Sequence, residues 1–197
     1  PRLVVLGDFN IAPDARDVHD PEVWNEHHIL TSAAEREALR ALRSEGLLVP
    51  GARRQLHVVD ISAEHRQEIA TVRTALETAA ARVAVTTRTS GDVDGLRTLV
   101  LRQRRYARVG DSSAFMAADE EFHRTLAGVA AMPTLDRLLD QLGAFVRLAR
   151  LGEPTPRTHM TALTREHDRL LDLLEEGDGD ALAETLSGHI LSTASRR

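Results

Sequence analysis

The sequence predicts a mainly α-helical protein, an antiparallel bundle of six or seven helices preceded by a small irregular α/β segment. Three observations carry this. Aromatic residues make up only 3% of the chain, and strand-favouring runs are scarce after about residue 60. From Ser62 onward, apolar residues recur at helical spacing between short connections marked by glycine and proline. At 197 residues the chain has room for one ordinary domain and a fragment.

Taken in order, the apolar run Leu3–Leu6 reads as a strand, followed by Gly7-Asp8-Phe9-Asn10 and a long loop rich in Pro, Asp and His. Ser32-Ala33-Ala34-Glu35 is a capping box that opens a short helix, and Gly46 suits its end. Residues 47–61, with Pro50-Gly51 between two apolar runs, read as a hairpin. A first long helix follows Ser62, its stripe marked by Ile69, Val72, Leu76, Ala79 and Val83 and its end by Gly91. Five more helices are predicted over 92–108, 112–130, 133–151, 156–176 and 179–195. Gly110-Asp111, Met132-Pro133, Gly152-Glu153-Pro154 and Gly177-Asp178-Gly179 separate them. Short connections make such helices antiparallel neighbours.

Composition narrows the chemistry. An apolar fraction of 42% supports a core, and 28% charged residues with a net charge of −5 fit a globular chain. No apolar stretch reaches the ~18 residues of a membrane span and no basic-then-apolar leader opens the chain, so a cytoplasmic protein is expected. The sequence has no cysteine, which excludes disulfides, thiolate zinc sites and a cysteine nucleophile. Any metal must therefore be held by nitrogen and oxygen, for which nine histidines are available. All 25 basic residues are arginine, so Schiff-base and P-loop lysine chemistry is excluded as well. The acidic balance argues against a general nucleic-acid coat.

Polar residues on the predicted apolar stripes are the informative feature. Phe115, Met116, Phe122, Leu126 and Val129 define one buried face, and Asp119 and His123 share it at i and i+4, as two ligands on one helix would. His167 falls on the stripe of Met160, Leu163, Leu170, Leu171 and Leu174, and His189 continues the line of Leu182 and Leu186. Four metal-competent groups thus face inward from three helices. Each histidine alone could be a satisfied core residue, but Asp119 cannot be buried unpaired, because that costs several kcal/mol. Three imidazoles and a carboxylate suit a divalent transition ion such as zinc or nickel with positions left for water or a ligand. A dimerisation module with a satisfied polar core is the plainer alternative.

Residues from about 39 to 195 resemble the C-terminal part of GntR-type transcription regulators of the FadR-like class: the FCD effector domain with the end of a winged helix. Arg36–Arg40 and Ser44–Leu47 resemble the end of the recognition helix and the start of the wing. Val72–Glu77 resembles the first effector-domain helix, Ala118–His123 the metal-ligand helix, and Glu166-His167 and Gly188-His189 the other ligand positions. The resemblance implies a homodimer, a divalent metal on Asp119, His123, His167 and His189, and a small carboxylate effector completing its coordination. Arg73 matches an arginine that often contacts the effector, although a surface ion pair with Glu77 would also explain it. Ala131-Met132-Pro133 departs from the family's usual asparagine and should lose a helix cap there.

Residues 2–42 resemble a different family, the exonuclease III type of AP endonuclease, through Gly7–Pro13, Asp17-Val18, Asp20-Pro21, Trp24 and Glu35–Leu39. That resemblance makes Asp8 and Asn10 candidate residues of a magnesium-dependent nuclease, but the family's other catalytic positions have no counterpart, so no activity is expected. The bland reading is that Asp8 and Asn10 form a turn. Arg36–Leu39 fits both families, which points to a fusion there. The expected organisation is a nuclease-like fragment over 1–34, a winged-helix remnant over 35–61 and the effector domain over 62–195. Arg40, Arg43, Arg53 and Arg54 are candidate phosphate contacts, but Ala33-Ala34-Glu35 offers no base-reading side chains, so sequence-specific DNA binding is not expected.

Overall fold

The structure, a computed structural model, describes residues 11–12, 16, 18–20, 23, 32–51, 56–150 and 154–195. The predicted strand at Leu3–Leu6 and most of the nuclease-like fragment, with Asp8 and Asn10, lie outside the described residues. The chain divides into two units, residues 2–60 and 61–197.

In the first unit, helix α1 (Ala33–Ser44) leads into strands β1 (Leu48–Pro50) and β2 (Leu56–Val58). The capping box forms as predicted: Ser32 Oγ accepts from the Glu35 amide, and the Glu35 carboxylate accepts from the Ser32 amide at 3.1 Å. The two strands pair antiparallel, Leu48 opposite Val58 and Pro50 opposite Leu56.

The second unit is a helical bundle of α2 (Ala63–Thr87), α3 (Ser90–Val109), α4 (Ser112–Gly128), α5 (Pro133–Ala149), α6 (Arg157–Glu176) and α7 (Gly179–Ser195). Gly110 and Gly177 end α3 and α6 at φ 78° and 81°, a left-handed conformation that glycine adopts without steric cost. The break between α2 and α3 lies earlier than the glycine signal implies. Thr89 caps α3 with a capping box to Asp92, so Gly91 sits inside the first turn instead of following a helix end. Between α4 and α5, Met132 occupies the cap position with no side-chain cap bond, as expected from the lost asparagine. Ala131 before it takes φ 51°, where asparagine would be tolerated and alanine costs about 1 kcal/mol.

The stripe of α2 differs from the predicted one. Val72 is 45% exposed, and the buried residues are Ile69, Ala70, Arg73, Glu77, Ala80, Ala81, Ala84 and Val85. The helix is rotated relative to that reading because its alanines carry the packing. Ala80, Ala81 and Ala84 have no exposed surface, and α2 packs most extensively on α7. The main core joins Leu96, Val100, Phe122, Leu170, Leu182 and Leu186. A second cluster of Ala80, Ala127, Ala130 and Leu135 seats the start of α5, and a third of Ala107, Phe115, Met160 and Leu163 lies around α6.

Leu96 is fully buried in the main core. Leu96→Ala should therefore cost about 2–5 kcal/mol, read as a lowered midpoint in thermal or urea unfolding. A shift within error would show that this cluster does not hold the bundle together.

Candidate metal centre

Asp119, His123, His167 and His189 are all buried, and one ligand atom from each lies within 4.8 Å of the others. The structure thus brings together the four residues the sequence singled out. Asp119 and His123 come from α4, His167 from α6 and His189 from α7. His123 Nε2 and His167 Nε2 each lie 3.2 Å from His189 Nε2, and Asp119 Oδ1 is 3.6 Å from His167 Nε2.

The opposite edge of each ring decides what those Nε2 atoms carry. His123 Nδ1 is 2.7 Å from Glu77 Oε2, and His189 Nδ1 is 2.6 Å from Glu166 Oε2. A carboxylate accepts, so both Nδ1 atoms donate. His167 Nδ1 is 2.7 Å from Gln103 Oε1. The Gln103 amide is oriented by its own Nε2, which donates to the Ala118 carbonyl at 3.1 Å, so Oε1 is again an acceptor. Each ring therefore carries its proton outward and turns an Nε2 lone pair inward. Three lone pairs and the Asp119 carboxylate converge on one point. Such an arrangement repels itself unless a cation or a shared proton lies between the donors.

Asp119 supports the cation. Its Oδ1 is buried with no hydrogen-bond partner, while Oδ2 accepts from Arg150 Nη1 at 2.9 Å. An unsatisfied buried acceptor costs about 1–3 kcal/mol, more when charged. The 3.2 Å nitrogen separations match the span between neighbouring ligands of a divalent ion, about 3.0–3.4 Å for octahedral to tetrahedral coordination at ~2.0–2.1 Å bonds. The donor set fits a metal.

Burial disfavours charge throughout the site, and specific partners oppose it. Burial raises the Glu77 pKa, but Arg73 and His123 outweigh it and bring it to about 2. Burial likewise opposes ionisation of Asp119, yet Arg150 and the histidines hold its pKa well below the usual carboxylate range. For His123 and, more strongly, His167, burial lowers the pKa despite the pull of Glu77 and Asp119 respectively. His123 and His167 are thus kept neutral, the form that binds metal.

Arg73 does pair with Glu77, but the pair is buried and not on the helix surface as the sequence implied. Its Nε donates to Glu77 Oε1. Sequence reasoning missed Gln103 and Arg150 altogether and treated Glu77 and Glu166 only as neighbours of other residues. Gln103 was detectable, since it sits on the α3 stripe of Leu96, Leu99, Val100 and Ala107. Arg150 caps the C-terminal end of α5, where no periodic signal exists.

The candidate phosphate contacts are less concentrated. Arg40 and Arg43 lie exposed on α1, Arg40 paired with Glu37, and Arg53 and Arg54 lie outside the described residues. Among the described residues, no helix is long and apolar enough to cross a membrane.

A family model described as the FCD domain matches residues 68–192. No curated protein matches the chain by sequence. Among solved structures, Escherichia coli McbR/YncC aligns with a TM-score of 0.76 and 21% identity over 83% of this chain and 78% of that one. A Rhodococcus sp. RHA1 protein assigned as a GntR transcriptional regulator gives 0.70 and 20% over 84% and 79%. A Streptococcus agalactiae GntR protein gives 0.58 and 18% over 86% and 87%. At these identities the likeness establishes the fold. Nothing in these comparisons supports the exonuclease III resemblance of residues 2–42.

Because His123 and His167 titrate near pH 6.5 in the unfolded chain and lower in the fold, these two residues bind fewer protons in the folded metal-free protein than in the unfolded chain below that pH. Stability then rises with pH through this window and is lost as pH falls below it. In chelator, the melting temperature should drop between about pH 7 and about pH 5, and less steeply in His167→Gln. A flat profile would contradict the neutral-imidazole assignment.

Proposed function

The chain belongs to the FCD domain family of GntR-type transcription regulators, and from that premise we propose that it senses a small carboxylate at a buried divalent metal. Residues 62–195 form the effector domain in this reading, and 35–61 are what is left of a winged helix. Asp119, His123, His167 and His189 hold the ion, with zinc or nickel the best match to a nitrogen-rich site without thiolate. The observation that carries the reading is the convergence of three Nε2 lone pairs and the orphaned Asp119 Oδ1 on one point.

Four protein donors leave positions open on an ion that accepts five or six. When bound, the metal supplies a Lewis-acidic positive centre for an anionic oxygen. In this reading Arg73 neutralises the rest of that anion, supported by its burial and by the fixing of its Nε by Glu77. The family is one of regulators and not of enzymes, and nothing in the donor set calls for turnover. The effector acts by binding one arrangement of the helices better than another. In regulators of this family the domain usually works as a homodimer and passes the change to DNA-binding domains. For this chain, the exposed arginines Arg40 and Arg43 support at most salt-sensitive, sequence-independent contacts with DNA.

Protein purified without chelator should carry about one equivalent of divalent metal by elemental analysis, and His123→Ala and His167→Ala should lose it. Small carboxylates should raise the melting temperature of the metal-loaded protein only. Arg73→Ala should weaken that response by about tenfold in carboxylate concentration while leaving metal content intact. A metal-free parent, or carboxylate binding indifferent to metal, would overturn the reading.

A further inference from the structure

We propose that Arg150 is a positioning residue for the metal centre: by holding Asp119 Oδ2 it presents Oδ1 alone to the ion, and it thereby makes the end of α5 part of the site. This rests on the metal reading above and assigns a role to a residue outside its donor set.

The two oxygens of Asp119 are not equivalent. Oδ2 accepts from Arg150 Nη1 at 2.9 Å, whereas Oδ1 has no hydrogen-bond partner and lies 3.6 Å from His167 Nε2, on the side where the imidazoles converge. A free carboxylate on a hard or borderline cation binds through one oxygen or both. A guanidinium on the second oxygen biases it to one, because bidentate binding would give up a charge-assisted hydrogen bond in a buried setting. One-oxygen binding saves a coordination position, the position an effector needs.

Arg150 reaches the site from a helix that is otherwise lightly held. Of the α5 residues only Leu135, near its start, is buried, and α5 packs on α2 and α4. Toward its other end it is tied to α4 by ion pairs of Arg147 with Glu120 and of Arg150 with Asp119. Arg147 is largely exposed, while Asp119 is almost wholly buried. Exposed pairs contribute little, so of these two ion pairs the Arg150–Asp119 contact is the stronger tie. Linkage is reciprocal: if Arg150 helps Asp119 hold the ion, the ion helps hold α5.

The test loads the parent protein, Arg150→Ala, Arg150→Lys and Arg147→Ala with Co(II). It reads affinity by competition with a chelator, coordination by visible absorption, and α5 by hydrogen exchange with and without metal. Arg150→Ala should bind about tenfold to a hundredfold more weakly. Its visible bands should fall in intensity as a second carboxylate oxygen raises the coordination number, and metal should no longer protect the end of α5. Arg150→Lys, which keeps a donor cation, should restore part of both, and Arg147→Ala should match the parent. Unchanged affinity and spectrum in Arg150→Ala, or equal effects in Arg147→Ala, would overturn the proposal while leaving the metal reading in place. A parent that binds no Co(II) would overturn both.

Discussion

The structure turns on where three protons sit. Glu77, Gln103 and Glu166 each accept from the Nδ1 of one histidine, and those three bonds leave the Nε2 atoms of His123, His167 and His189 with inward lone pairs only 3.2 Å apart along two of the edges. Remove any one acceptor and the corresponding ring is free to turn its proton inward and donate to a neighbour, which would satisfy the cluster as a polar core. With all three in place, the rings' own Nδ1 protons are spent outward, and only an added cation or proton can lie between the Nε2 atoms. The outer residues therefore make the difference between a set of donors that fits a metal and a group of buried histidines.

The same bonds explain how the bundle tolerates so much buried charge. Asp119 and Glu77 are ionised in surroundings that oppose ionisation, and each is held by a guanidinium, Asp119 by Arg150 and Glu77 by Arg73. Breaking one partner of a buried pair costs more than the pair contributes, so these contacts specify a single arrangement even where they add little net stability. Stability itself comes from elsewhere. The alanine face of α2 against α7 and the leucine and phenylalanine core bury apolar surface, while Phe122 stacks on His167 with ring centroids 4.3 Å apart. That stacking fixes the plane of the one imidazole whose outer partner is a neutral amide.

Sequence reasoning reached the ligands and stopped short of what orients them. Asp119, His123, His167 and His189 were legible because each interrupts an otherwise apolar stripe at helical spacing, and that period survives folding. Helix existence was legible for the same reason, with Gly110 and Gly177 marking real left-handed ends. The phase of α2 was not, since alanine is weakly informative about which side is buried. Val72, larger than Ala80 and Ala84, dominates the apolar pattern yet is exposed, so the pattern puts Glu77 on the surface where the fold buries it. Gln103 followed the readable rule but lacked a partner to make it meaningful until α6 was packed against α3. Arg150 had no rule to follow. Its role depends on the distance between the end of one helix and the middle of another, and no local pattern encodes that.

All six helices of the bundle reach the centre. Glu77 and Arg73 come from α2, Gln103 from α3, Asp119 and His123 from α4, Arg150 from α5, Glu166 and His167 from α6, and His189 from α7. On the proposed metal reading, a ligand that changes the coordination at this point would act on every helix at once, with no need for a chain of intermediate residues to carry the change. Packed helices respond by moving between discrete arrangements because their interiors are close-packed. The helix with the least packing of its own should then move first, and α5, with Leu135 its one buried residue and Arg150 its contact with the centre, is that helix. In the proposed sensor, occupancy would couple to shape through the Arg150–Asp119 contact that ties α5 to the centre.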